Sequence, residues 1–198
     1  MKLNRMERWV VNNPLRVLEQ RIQVGWMKNR HPLLPGGTCL ELGCGRGAGA
    51  RLILDAFQPS RLYALDLDSR MVQKAKAYLS PTEHDKITLM VGDAFSLPFA
   101  PASLDAVFNF GVLHHVLDWR GALKEVARVL KTGGTFFLEE LYPALYQNAI
   151  TKRFLLHPEE DRFCRDDLWQ ELEKMKMPFR DALELKKLGV LGVAVKEG

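Results

Sequence analysis

Residues 38–49 read TCLELGCGRGAG, and the reading of the whole chain grows from them. A short apolar run from Thr38 to Leu42 stops at Gly43. Further glycines follow at Gly45, Gly47 and Gly49, and a helical pattern then occupies Ala50 to Ala56. The order is strand, tight glycine turn, helix, with the helix expected over 47–56. Glycine takes positive φ without steric cost and lets a ligand approach bare backbone. The helix that follows aims unpaired N–H groups and the positive end of its dipole at that ligand. On its own, the stretch is a cradle for something anionic or nucleotide-like.

Working outward, 198 residues suit one domain spanning 1–198 with a sizeable core. The 47% hydrophobic and 26% charged content is ordinary for a globular protein, and no run of 18 apolar residues predicts a transmembrane helix. The start, MKLNRMERWVV, lacks the apolar stretch of a signal peptide. Three cysteines (Cys39, Cys44, Cys164) form no CxxC pair, which favours a reduced, cytoplasmic protein and argues against a metal site. The net charge of +4 is too mild to argue for nucleic acid. Its excess sits at one end. Residues 1–31 carry Lys2, Arg5, Arg8, Arg16, Arg21, Lys28 and Arg30 against Glu7 and Glu19, while the rest is near neutral.

That basic end is expected to be helical. Leu3, Met6 and Val10 share one helical face over 3–13, and Leu15, Leu18, Ile22 and Trp26 share another over 14–29. Pro14 suits a first turn, with Asn12 or Asn13 as cap. This arm either covers a sheet face or edge, or acts as a lid over the ligand. Its charge leaves contact with an acidic substrate or a membrane surface open.

Beyond the glycine turn, strands are expected at Leu62–Leu65, Ile87–Val91, Leu104–Phe110 and Thr135–Leu138. Helices are expected at about 70–79, capped by Ser69, and at 119–130, stopped by Lys131-Thr132-Gly133-Gly134. Strands alternating with helices give right-handed βαβ units: an α/β, Rossmann-like, mostly parallel sheet with helices on both faces. A further helix from Asp166 to Met177 precedes runs at Ala182–Leu188 and Val190–Val195, separated only by Gly189, which forces an antiparallel hairpin.

In such sheets ligands bind at the carboxyl ends of the strands. Those ends carry Glu41, Asp66 with Asp68, Asp93, Asn109-Phe110-Gly111, and Glu139-Glu140. Acids at successive strand ends suit a ligand rich in hydroxyl and amino donors. Residues 43–48 satisfy G-x-G-x-x-[GA], the pattern of dinucleotide sites, but Glu41 and Asp93 have no role beside a pyrophosphate. S-adenosylmethionine offers a ribose diol, an adenine amine, an α-amine and a sulfonium to carboxylates, and a carboxylate to the helix terminus.

ELGCGRGAG, LYALDLDSRMVQKAK, VGDAFSLPF, LDAVFNFGVLHHV and LKEVARVLKTGGTFFLEE resemble, in order and spacing, the class I S-adenosylmethionine-dependent methyltransferases. The small-molecule group that includes the ubiquinone and menaquinone C-methyltransferases is the nearest in flavour. The resemblance covers about 38–140, the expected cofactor-binding core. It implies a seven-stranded sheet whose antiparallel final strand is inserted beside the parallel ones. Residues 1–31 and 142–165 lie outside it, in regions where such enzymes build substrate specificity, and 142–198 is expected to form a substrate-side segment, the last helix and the hairpin.

By position the resemblance implies that Gly43, Gly45 and Gly47 admit the methionine part of the cofactor, with Glu41 supporting the loop or the amine. Asp66 would take the ribose hydroxyls with Leu67 beside the adenine. Asp93 would accept from the adenine amine, Ala94 N–H would reach a ring nitrogen, and Phe95 would pack nearby. Asn109 would hold the methionine amine, through its backbone carbonyl. The expected reaction is C- or O-methylation of a small molecule, with His114 or His115 as candidate general bases. Adjacent helical residues diverge, so at most one should face the pocket. Glu139, Glu140, Tyr142 and Tyr146 are further pocket candidates. A cofactor-binding module without catalysis, or an RNA or protein methyltransferase, are the competing readings.

Overall fold

The computed structural model describes residues 13–146, 162–185 and 187–198. Its strands are β1 (Thr38–Leu42), β2 (Arg61–Asp66), β3 (Ile87–Val91), β4 (Leu104–Phe110), β5 (Leu130–Leu141), β6 (Phe179–Leu185) and β7 (Gly189–Val195). They form one sheet in the order β3-β2-β1-β4-β5-β7-β6. The first five run parallel, and β7 is inserted antiparallel between β5 and β6. Strand order reverses between β1 and β4, so a crevice opens at their carboxyl ends.

The central strands alternate their side chains between two packed layers. Leu40, Leu42, Val107, Phe136 and Leu138 face one layer, together with α5 (Trp119–Val129) and α7 (Arg165–Lys174). Cys39, Ala106, Phe108 and Phe137 face the other, against α1 (Pro14–Arg30) and α2 (Ala48–Phe57). There Phe108 and Phe137 stack with ring centroids 4.7 Å apart, and Phe57 of α2 tilts onto both. Helix α3 (Ser69–Tyr78) packs beside β2 and β3, a short α4 (Pro81–His84) precedes β3, and α6 (Pro143–Tyr146) follows β5. Among the described residues no helix is long and apolar enough to cross a membrane.

Several local expectations are corrected. Asp68, one residue before Ser69, caps α3 by accepting the Arg70 N–H. The glycines after α5 do not end it in a turn, because Leu130 already begins β5. Lys196 Nζ caps the helix instead, donating to the carbonyls of Ala127 (2.6 Å) and Leu130 (2.8 Å). Helix α7 begins before Asp166 and ends at Lys174; Asp167 accepts the Cys164 N–H at 2.9 Å. The last hairpin turns at Lys187 and Leu188, and Gly189 belongs to β7, where a Cβ would meet Glu140 O at 2.4 Å.

The arm shows the largest departure. Asn13 caps α1 by accepting the Leu15 N–H at 3.0 Å, as expected. Of the stripe Leu15, Leu18, Ile22 and Trp26, Trp26 packs partly on the core, whereas Leu15, Leu18 and Ile22 are 72%, 56% and 67% exposed; Val24, Met27 and the polar Gln23 are buried instead. Helix α1 lies on α2 through this second face. The helix expected at 3–13 lies outside the described residues apart from Asn13.

Candidate functional site

A cavity of about 510 Å³ opens at the carboxyl ends of β1, β2, β3 and β4. The glycine turn forms one wall. Gly43, Gly45 and Gly47 have φ of +65°, +53° and +88°. Nothing lies within 4 Å of the point where a Cβ on Gly45 would stand, so its backbone is bare toward the cavity. Gly47 differs from expectation. It lies outside the cavity lining, and its missing Cβ makes room for Ala75 of α3 at 3.2 Å.

Asp66 fastens this wall. Its Oδ2 accepts the Gly45 N–H at 2.9 Å and its Oδ1 accepts the Asp68 N–H at 2.8 Å. Burial pushes its pKa up, and these two N–H groups oppose the rise. Glu41 stands beneath the turn, buried and outside the cavity lining. It accepts the Ala50 N–H, and burial, aided by the Asp66 charge, raises its pKa to about 8. A Cβ on Gly49 would fall 2.0 Å from Glu41 Oε1, so the fourth glycine of the stretch serves this carboxyl.

Leu67, Asp93, Ala94 and Phe95 all line the cavity. The Phe95 N–H points at Asp93 Oδ1 (3.4 Å) in a tight turn closed by Ser96 N–H to Asp93 O. Asn109 does not line it. It is fully buried, donating from Nδ2 to Glu140 Oε1 at 2.6 Å, and the wall there consists of Phe110 and Gly111.

Glu140 organises the turn after β4. Its carboxylate accepts from Asn109 Nδ2, from the backbone N–H of Val112 (3.0 Å) and Leu113 (2.7 Å), and pairs with His114 Nδ1 at 2.7 Å. A 3-10 turn at Leu113–His115 results, and it separates the two histidines: His114 is buried on Glu140, whereas His115 lines the cavity. Arg162 braces the same segment, donating to the His114 carbonyl at 2.9 Å. Of the remaining candidates, Tyr142 packs in the core, and the side chain of Tyr146 lies outside the described set, as do residues 147–161.

The sequence reading missed Arg16, Gln20, Arg46 and Asp118 as lining residues. Arg16 reaches in from α1 and donates to Glu139 Oε2 at 2.7 Å, while its other nitrogen pairs with Glu19 at 2.9 Å. Burial raises the Glu139 pKa, and the Arg16 charge opposes that rise. A charge at position 16 was visible in the sequence, but its destination was not. In the arm, Val24 and Met27 pack into the core while Arg16 and Gln20 line the cavity.

A family model described as a methyltransferase domain matches residues 40–138. The demethylmenaquinone methyltransferase of Lactococcus lactis subsp. lactis is 32% identical over 162 residues, which cover 78% of this chain and 64% of that protein. A fatty-acid O-methyltransferase of Mycolicibacterium smegmatis is 34% identical over 110 residues, 54% of this chain and 38% of that protein. The chain therefore spans less than two thirds of the length of either relative. A solved S-adenosylmethionine-dependent methyltransferase from Aquifex aeolicus superposes with a TM-score of 0.76 at 18% identity, covering 98% of both chains, a likeness of fold.

Proposed function

The chain belongs to the class I S-adenosylmethionine-dependent methyltransferases, and we propose that it transfers the cofactor's methyl group to carbon or oxygen of a small, largely apolar molecule. One observation carries this reading: a single cavity joins the bare backbone of Gly45, the acids Asp66 and Asp93, and the histidine His115. The donor set fits the cofactor. Carboxylates at the ends of β2 and β3 suit the ribose diol and the adenine amine, and the start of α2 suits a carboxylate. Leu67 and Phe95 would flank the adenine, with the Ala94 N–H at its ring edge. Gly43 and Gly45 would face the methionine part. Glu41 would support the turn from below. In place of Asn109, the backbone around Phe110 and Gly111 would meet the amine.

When bound, S-adenosylmethionine supplies a sulfonium-borne methyl group with a neutral thioether as leaving group. The chain's own contribution is chiefly positional, and holding two reactants in line is worth on the order of 7 kcal/mol or more in favourable cases. His115 would take the acceptor's proton where that proton is not already lost. His114, held by Glu140, would position the turn. Exposed Leu117 lines the cavity beside Leu67 and Phe95, which favours an apolar acceptor, and the quinone and fatty-acid acceptors named for the two curated relatives point the same way. The division of labour we infer runs through one domain: 38–140 hold the cofactor, while the arm and 142–198 shape the acceptor side. Free thiols at Cys39, Cys44 and Cys164 support a reducing, cytoplasmic setting.

The test is transfer of a labelled methyl group from S-adenosylmethionine to a panel of phenols, quinols and fatty acids. Label in one of these classes supports the proposal. Cofactor binding without transfer to any of them would favour a binding module that acts through a partner.

A further inference from the structure

Helix α1 carries two apolar faces, one more than a helix that only packs on its own core needs. Leu15, Leu18 and Ile22 fall at i, i+3 and i+7 on one stripe, and that stripe faces solvent. The inward side of the same helix packs Val17, Val24 and Met27 on the core, with the polar Arg16, Gln20 and Gln23 among them. The helix is not free to roll over, because the Arg16–Glu139 pair and the contacts of Val24 and Met27 fix its inward face. The outward stripe is thus presented by construction.

Charge narrows what can cover it. Arg21 and Lys28 are exposed along one edge, Arg30 lies on the other, and Trp26 sits half-buried toward the end of the stripe with Arg30 over its ring. Glu19 is neutralised by Arg16. With Arg16 engaged by Glu139 and Glu19 and Arg30 paired with Asp181 at 3.5 Å, the exposed Arg21 and Lys28 supply the helix's outward positive charge, and residues 1–12 add Lys2, Arg5 and Arg8 against Glu7 by sequence. A second copy would bring like charge to like charge, which disfavours a symmetric pair. An exposed aliphatic stripe edged by cations suits an anionic bilayer surface.

We propose that the outward face of α1 docks the protein on an anionic lipid surface, with Leu15, Leu18 and Ile22 entering the headgroup–acyl boundary. The opposite face of the same helix lines the cavity, so docking would bring the acceptor side to the bilayer. That consequence rests on the function proposed above, whereas the docking itself does not.

Flotation with phosphatidylcholine vesicles, with and without phosphatidylglycerol, tests it in the absence of cofactor and acceptor. The wild-type protein should float with the anionic vesicles and should be released as salt rises. Leu18→Glu/Ile22→Glu should weaken that binding about tenfold or more, since charge replaces apolar surface at the boundary. Both positions are exposed and outside the cavity, so the variant should fold and bind S-adenosylmethionine like the wild type. Equal flotation of variant and wild type would overturn the proposal. So would a wild type that stays in solution with both vesicles; a dimer split by the same variant would then assign the face to a second copy. Vesicle binding without methyl transfer would count against the function alone.

Discussion

Arg16 Nη2 lies 2.7 Å from Glu139 Oε2, so a helix that precedes the first strand is fastened to the end of the fifth. Both side chains are largely withdrawn from water, Glu139 the more so. Removing one partner of such a pair leaves a desolvated charge behind, which costs more than the pair contributes. Arg16→Met is expected to lower stability by about 3 kcal/mol in urea unfolding. Arg16→Met with Glu139→Gln should recover most of that loss. An unchanged midpoint in the single variant would show that α1 is held by its apolar contacts alone.

The two adjacent histidines should separate cleanly under mutation. His114 belongs to the Glu140 network, so His114→Ala removes a donor from a buried carboxylate and should destabilise by about 1–3 kcal/mol. His115 lines the cavity, so His115→Ala should leave the melting temperature and cofactor affinity near wild type and lower kcat by about 10²-fold or more if it takes the acceptor's proton. A His115→Ala enzyme with full kcat would confine the residue to shaping the wall.

Glu41 gives a pH signature of definite sign. Its folded pKa of about 8 lies above the ordinary value of 4.5, chiefly through burial, so the folded state binds this proton more tightly than the unfolded chain. This group's contribution is fully present below about 4.5 and is lost as pH rises toward about 8. Glu41→Gln should flatten that decline in melting temperature over the same window. Gly49→Ala should displace the carboxyl, because the added Cβ overlaps Oε1, and should destabilise by about 1–3 kcal/mol. A Glu41→Gln profile parallel to wild type would show that the carboxyl is not the titrating group.

The sequence made β1, β3 and β4 legible to the residue, because each is a short, mainly apolar run bounded by glycine, aspartate or a proline-containing loop. The acids at their ends could be located for the same reason. What failed depended on partners distant in sequence. The cap on α5 comes from Lys196, 66 positions beyond Leu130. The sides of α1 could not be assigned, because a helical period marks an apolar stripe without saying whether the molecule faces it. Here the inward choice was made by Arg16 finding Glu139 and by Val24 and Met27 meeting α2. At the end of β4 the cavity wall is Phe110 and Gly111, and Asn109, expected there through its backbone carbonyl, has its side-chain amide held by Glu140. Gly47, between the lining residues Arg46 and Ala48, leaves the room that Ala75 of α3 occupies, a packing role that its place in the glycine run does not reveal.

The central claim is that the cavity behind Gly45 and Asp66 is a cofactor site, and calorimetric titration tests it most directly. S-adenosylmethionine should bind the wild-type protein at one site per chain, and NAD should not. Asp66→Ala should weaken that binding by about 1–3 kcal/mol, since it removes the tie to the Gly45 N–H and would remove the charge-assisted bonds proposed to the ribose. NAD binding with no S-adenosylmethionine binding, or an Asp66→Ala protein with wild-type affinity, would contradict the account.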